Sequence, residues 1–395
     1  MFKYKIKSTI QTNQSDQQNQ SDTHISTNQY LIQNIILNKK IDLNNYSIYD
    51  IPSYDTIYNM LIESDLKKKK GLGCFMGMVV GDALGAPLEF MPINYHPKYL
   101  VKHMTSSVKF GINAGQWTDD ASMGLCIADS LLMKKRFDPA DQKLRYLAWW
   151  YCGYNNAFRY DTTNLNKKSI GLGGNISKSF DKFIKTGEIY SSYGDTNING
   201  NGSIMRNAPI PVAYHRNMSK AIKYAKLQSQ TTHQGIEAAE CCALLTYLCV
   251  SFINTNSIIT RPDIALEYLI KQFTSNNINI NKLLNSQDPW NWKADKFFYD
   301  EYRSNSQPDY VGSYSTDCLA MALYCVRSTK NLSDAIVKAV NYGGDADSVG
   351  SVTGQLAGAI YGYDQIPLDW IQSINYWSQG SIIYRTHMLY ELFAE

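Results

Sequence analysis

The chain has 395 residues, 44% of them apolar and 18% charged, enough for one large domain or two medium ones with a sizeable buried core. A formal net charge of +3 argues against an electrostatic pull toward nucleic acid or an anionic membrane. Eight cysteines occur without any CxxC pair, so they read as reduced, buried thiols and not as zinc ligands or a disulfide framework.

In chain order, residues 1–64 read as a polar, partly disordered extension. Residues 11–29 are almost all Gln, Asn, Ser, Thr and Asp and cannot bury enough apolar area to offset the entropy of ordering. Residues 30–66 carry Ile, Leu and Tyr and can dock on the main body. The first residues lack an apolar signal-peptide core, and no uncharged apolar run is long enough to cross a bilayer. The expected setting is therefore cytoplasmic, without a membrane partner.

From residue 65 to 395 the pattern is that of one all-α domain. Gly73, Gly77, Gly81 and Gly85 recur every fourth residue and so share one face of a helix. Each costs about 1 kcal/mol of helix propensity relative to Ala, which close backbone packing against a second helix would offset. Helices are predicted over 142–152, 219–228, 236–252, 263–274, 317–327 and 333–340, with Asp263 and Ser333 as N-caps. A matching stripe, Gly350, Gly354, Gly358 and Gly362, closes the pattern, and the two striped helices are expected to cross.

Both stripes adjoin carboxylates. Gly343 and Gly344 permit a tight turn, after which Asp345, Asp347 and Ser348 fall at a helix start. Thr118, Asp119 and Asp120 follow Gly115 in the same way. Carboxylates at a helix N-terminus are favoured by its dipole, so capping alone is one reading. The other adds Glu89 and makes an all-oxygen ligand set, suited to Mg2+ or Mn2+ and to more than one ion.

Six segments, in this order, complete the pattern: Gly81-Asp82-Ala-Leu-Gly85-Ala-Pro-Leu-Glu89, Gly115-Gln-Trp-Thr118-Asp119-Asp120, Asn201-Gly202-Ser203-Ile-Met205-Arg206, Thr232-His233, Ser313-Tyr314-Ser-Thr-Asp317 and Asn341-Tyr-Gly343-Gly344-Asp345-Ala-Asp347-Ser348. From about Lys67 onward the chain thereby resembles the ADP-ribosylglycohydrolases, the family that includes the hydrolase reactivating ADP-ribosylated dinitrogenase reductase. The resemblance implies an all-α fold around a two-metal centre. The implied activity is hydrolysis of the glycosidic bond between ADP-ribose and a modified protein side chain or small acceptor, by a monomer. It implies Thr118, Asp119, Asp120, Asp345, Asp347 and Ser348 as ligands of two Mg2+ ions, Ser348 standing where the family usually has Thr. Glu89, Asp119 and Asp120 become the catalytic candidates. Asn201, Gly202, Ser203 and Met205 are implied at the distal ribose or diphosphate, His233 near the phosphates and Tyr314 on the adenine.

In the loop 169–175, Gly171 stands where several bacterial relatives carry an Asp, while Gly171, Gly173 and Gly174 suit backbone contact with a diphosphate. Two alternatives remain at this point: a catalytically inactive ADP-ribose binder or crystallin-like structural relative, and a general Mg2+ phosphoesterase.

Overall fold

A computed structural model describes residues 27–38, 51–94, 98–190, 198–296 and 310–393, and these contain helices and no strand. The helices run α1 (Thr27–Asn38), α2 (Tyr54–Ile62), α3 (Leu66–Gly85), α4 (Asp119–Lys134), α5 (Pro139–Cys152), α6 (Gly174–Thr186), α7 (Pro209–Ala213) and α8 (Met218–Gln230). They continue with α9 (Ile236–Ile253), α10 (Pro262–Ile270), α11 (Ile278–Leu284), α12 (Ser315–Arg327), α13 (Leu332–Val340), α14 (Ala346–Tyr361), α15 (Leu368–Ser378) and α16 (Ser381–Glu391).

The two glycine stripes meet as expected. Gly73 lies against Gly358, Gly77 against Gly354 and Gly81 against Gly350, while Gly85 reaches the backbone of Ala346 and Asp347. The pairing runs antiparallel, and a methyl group built on any of these glycines would overlap backbone of the opposing helix. α3 and α14 therefore touch main chain to main chain, and the C-terminal end of α3 is held beside the N-terminal end of α14. This crossing forms the centre of the core: 16 of the 20 residues of α3 and all of α14 except Tyr361 are buried.

Several details differ from the sequence reading. Pro262 occupies the first turn of α10 behind Arg261 as N-cap, so Asp263 lies inside the first turn. The helix closes at Ile270, where i→i+3 bonds from Gln272 and Phe273 tighten the chain into a turn. For α13 the cap is Asn331, whose Oδ1 accepts from Asp334 N at 2.7 Å, and Ser333 bonds to that cap instead. Residues 27–29, the end of the polar stretch, are helical in α1; residues 1–26 lie outside those described. α1 packs on α5, burying Ile32 and Ile35, and α2 buries Ile57. Two helical segments, Leu66–Leu88 and Ile236–Ile253, are long and apolar enough to cross a bilayer, yet 89% and 78% of their respective windows are buried inside the fold.

Candidate active site

Three helix ends converge at one end of the α3–α14 crossing. α3 supplies Asp82 and, through a single 3-10 turn (Ala86–Leu88), Glu89. α14 supplies Asp345 as its N-cap residue, then Asp347 and Ser348. α4 supplies Thr118 as its N-cap residue, then Asp119 and Asp120. Neither Thr118 nor Asp345 uses its side chain to cap its own helix, which removes simple capping as the reason for them.

The cap of α4 comes from another helix. Asp82, fully buried, accepts from Thr118 N at 3.0 and 3.1 Å, from Thr118 Oγ1 at 2.8 Å and from Ala121 N at 2.9 Å. The remaining carboxylates face one another. One oxygen each of Glu89, Asp345 and Asp347 lies within 4.8 Å of the others, and so does one each of Asp119, Asp120 and Asp347. Asp347 belongs to both groups, and Thr118 Oγ1 stands 3.4 Å from its Oδ2.

Burial pushes these acids up, and their mutual charge pushes most of them further. Asp82 rises to about 6, its hydrogen bonds restraining it. Glu89 rises to about 8 through burial and then the charge of Asp345, although the Tyr310 hydroxyl donates to its Oε1 at 2.5 Å. Asp119, Asp120 and Asp347 are held well above the usual carboxylate range. Asp120 is the extreme case. Both its oxygens are buried and find no hydrogen-bond partner among the described residues. An orphaned buried carboxylate is costly, and a divalent cation removes that cost. Both groups can hold a metal ion, and their all-oxygen chemistry fits a hard one.

The carboxylates floor a cleft of about 760 Å³. The sequence profile of the ADP-ribosylglycohydrolases matches residues 63–394. The chain belongs to the ADP-ribosylglycohydrolase family. It is similar to the ADP-ribosylarginine hydrolase Tri1 of Serratia proteamaculans, 29% identical over 314 residues that make up 80% of this chain and 77% of the relative. The protein of the same name from Pseudomonas putida is 30% identical over 308 residues, 78% and 74% of the two chains. Among solved structures, an ADP-ribosylglycohydrolase-related protein complex superposes with a TM-score of 0.65 at 30% identity, covering 82% of this chain and 98% of its own. The protein is thus a hydrolase of ADP-ribose glycosidic bonds.

Most of the substrate residues implied by this family line the cleft: Gly171, Gly173, Gly174, Asn201, Gly202, Met205, His233 and Tyr314. Ser203 does not. It is fully buried, its Oγ 2.7 Å from Ser229 Oγ and 3.5 Å from Cys242 Sγ, because the 3-10 turn Asn201–Ser203 points its third residue inward. Thr118 and Asp120 lie behind the cleft surface, with Asp119 in front. Gly171 has φ +88° and presses on Asp119, whose carboxylate would collide with any Cβ there. α6 opens at Gly173 without a side-chain cap, leaving N–H groups of the kind that receive anions. No lysine or arginine lines the cleft among the described residues, so an anionic ligand there meets backbone N–H groups and neutral side chains. His233 is kept neutral, pushed down to about 3 by burial and then by Arg206, with its Nδ1 2.9 Å from Thr232 Oγ1. Tyr314 donates its hydroxyl to Glu237 at 2.8 Å, and its ring lies nearly parallel to Trp290 at 6.5 Å between centroids.

Sequence reading missed Tyr310, Phe90 and Phe110, which also line the cleft, and the capping role of Asp82. Asp82→Ala is expected to strand two buried N–H groups and one hydroxyl. Global stability should fall by about 2–4 kcal/mol in urea unfolding, and any affinity of the cluster for a divalent cation should fall with it as α4 loses its anchor. Unchanged stability would mean that the N-terminus of α4 finds its partners elsewhere.

Proposed function

We propose that this protein releases ADP-ribose from modified arginine side chains with the aid of Mg2+. The observation that carries the reading is the buried carboxylate cluster with Asp120 unpartnered in it; the arginine acceptor is supported by the two relatives named for it. The catalytic unit is residues 65–395, with α1 and α2 as an outer layer.

Thr118, Asp119, Asp120, Asp345, Asp347 and Ser348 would hold the ions. When bound, such ions keep the carboxylates ionised and polarise sugar and water oxygens. The protein's own groups do the rest. Glu89, oriented by Tyr310, takes a proton from the attacking water as the new C–O bond forms at the anomeric carbon. The C–N bond breaks, and the proton passes to the departing guanidine nitrogen. Glu89, Asp345 and Asp347 stabilise positive charge on the sugar. Asn201 is fixed by bonds from its Nδ2 to Asp345 Oδ2 at 2.9 Å and to Gly312 O at 2.8 Å, which presents its backbone to the ribose. The 171–175 loop and the start of α6 receive the diphosphate opposite neutral His233, and Tyr314 stacks on the adenine.

The test is incubation of an arginine-ADP-ribosylated protein with the enzyme in Mg2+ or in EDTA, followed by chromatography. Intact ADP-ribose released only with Mg2+ is expected. Release of AMP would indicate diphosphate cleavage, and full release in EDTA would remove the metal from the reaction.

A further inference from the structure

Along the cleft, Tyr310 stands together with two aromatic rings not used above, Phe90 and Phe110. Phe90 lies parallel to Tyr310, with 4.8 Å between centroids and 11° between planes, and Phe110 is 6.1 Å from Phe90. Phe90 directly follows Glu89, so this stack begins one residue from the proposed proton carrier, and Tyr310 joins the two through its hydroxyl. The position of Phe90 is imposed. Its φ is +62°, a backbone conformation that bulky residues rarely adopt, and its N–H is bonded to Gly344 O at 2.8 Å. Strain of this kind persists where surrounding structure enforces it, often at functional sites. Yet Phe90, so enforced, is 49% exposed and lines the cleft instead of being buried in the core.

The face of Phe90 already holds a cation. Lys109 Nζ stands 4.1 Å from the centroid of Phe90 and 5.7 Å from that of Phe110, and it has no ion pair among the described residues. Aromatic faces attract cations through their quadrupole. The carboxylates on the cleft floor, with no lysine or arginine lining it among the described residues, add the same preference. A neutral hydroxyl acceptor would gain little from either feature, whereas a planar guanidinium fits flat against a ring.

We propose that Phe90, Phe110 and Tyr310 form the acceptor subsite, an aromatic wall that takes the guanidinium of an ADP-ribosylated arginine, with Lys109 as the internal cation that it displaces. This rests on the arginine reading above and names the residues that select that acceptor. Two substitutions then act in opposite directions. Phe90→Leu keeps bulk but removes the ring face, and raises KM for ADP-ribosylarginine roughly three- to tenfold. Phe90→Tyr restores it. Lys109→Met removes the competitor and lowers that KM.

The experiment measures KM and kcat for ADP-ribosylarginine, and inhibition by free ADP-ribose, in the wild type and these three variants. Inhibition by ADP-ribose should stay constant, which also reports that each variant is folded. An unchanged KM in Phe90→Leu, or an equal weakening of ADP-ribose inhibition, overturns the subsite while leaving the arginine reading intact. A raised KM in Lys109→Met contradicts displacement even if Phe90→Leu fails to fold. Wild-type protein that binds ADP-ribose but releases none from arginine overturns the arginine reading itself, and the subsite with it.

Discussion

Asp120→Asn is expected to abolish turnover and, in EDTA, to make the protein more stable. Both effects come from the same atoms. Asp120 is 1% exposed, neither oxygen has a hydrogen-bond partner among the described residues, and Asp82, Asp119, Asp345 and Glu89 all press on it with like charge. An amide of the same shape relieves part of that repulsion, and the metal-free melting temperature should rise by about 1–4 °C. A structural cap would behave in the opposite way, since its loss costs about 1 kcal/mol. With saturating Mg2+ the order reverses. At a hundred times its dissociation constant a ligand adds about 2.7 kcal/mol, and a variant lacking one ligand oxygen forfeits much of this. Loss of correctly placed positive charge should lower kcat by at least about a hundredfold. Activity and melting temperature, each with Mg2+ and with EDTA, check both halves, and full activity in the variant would remove Asp120 from the ligand set.

The same repulsion fixes the pH dependence of the metal-free protein. Asp82 and Glu89 titrate higher when folded, at about 6 and about 8 against ordinary values of 3.8 and 4.5. Between those limits the folded state binds more protons than the unfolded one. Stability in EDTA therefore falls as pH rises from about 4 toward 8, and Mg2+, by favouring the ionised forms, flattens the fall.

The glycine stripes were legible because their reason is local: a four-residue period has one meaning on a helix, and two such periods call for each other. The carboxylates were legible as types at helix starts, although only coordinates could distinguish caps from facing acids, by showing that Thr118 and Asp345 leave their own N–H groups alone. What escaped was non-local. Asp82 caps a helix that begins 37 residues later in the chain. Tyr310 carries no motif in a chain of 29 tyrosines. Phe90 gave no sign of its positive φ, which follows from the bond to Gly344. Ser203 was implied as a ligand contact only by the family resemblance, which says nothing about which residue of the 3-10 turn faces inward.

Gly354→Ala is expected to be severely destabilising, against the direction that helix propensity alone predicts. In an exposed helix the change would add about 1 kcal/mol of stability. Here the new methyl group would meet the O, C and Cα of Gly77, all main-chain atoms that no rotamer change can move. α3 and α14 must then separate along their whole contact, at a cost of about 3 kcal/mol or more. Because Glu89 hangs from one helix and Asp345, Asp347 and Ser348 from the other, separation also parts the two halves of the site. Mg2+ affinity should fall even in the molecules that remain folded. Urea unfolding with a Mg2+ titration measures both losses, and a variant as stable as wild type would show that the helices do not touch there. Gly77→Ala strikes the same point from the opposite side, so the double variant should lose clearly less than the two single losses added together: once the helices have parted, the second methyl group finds the space already made.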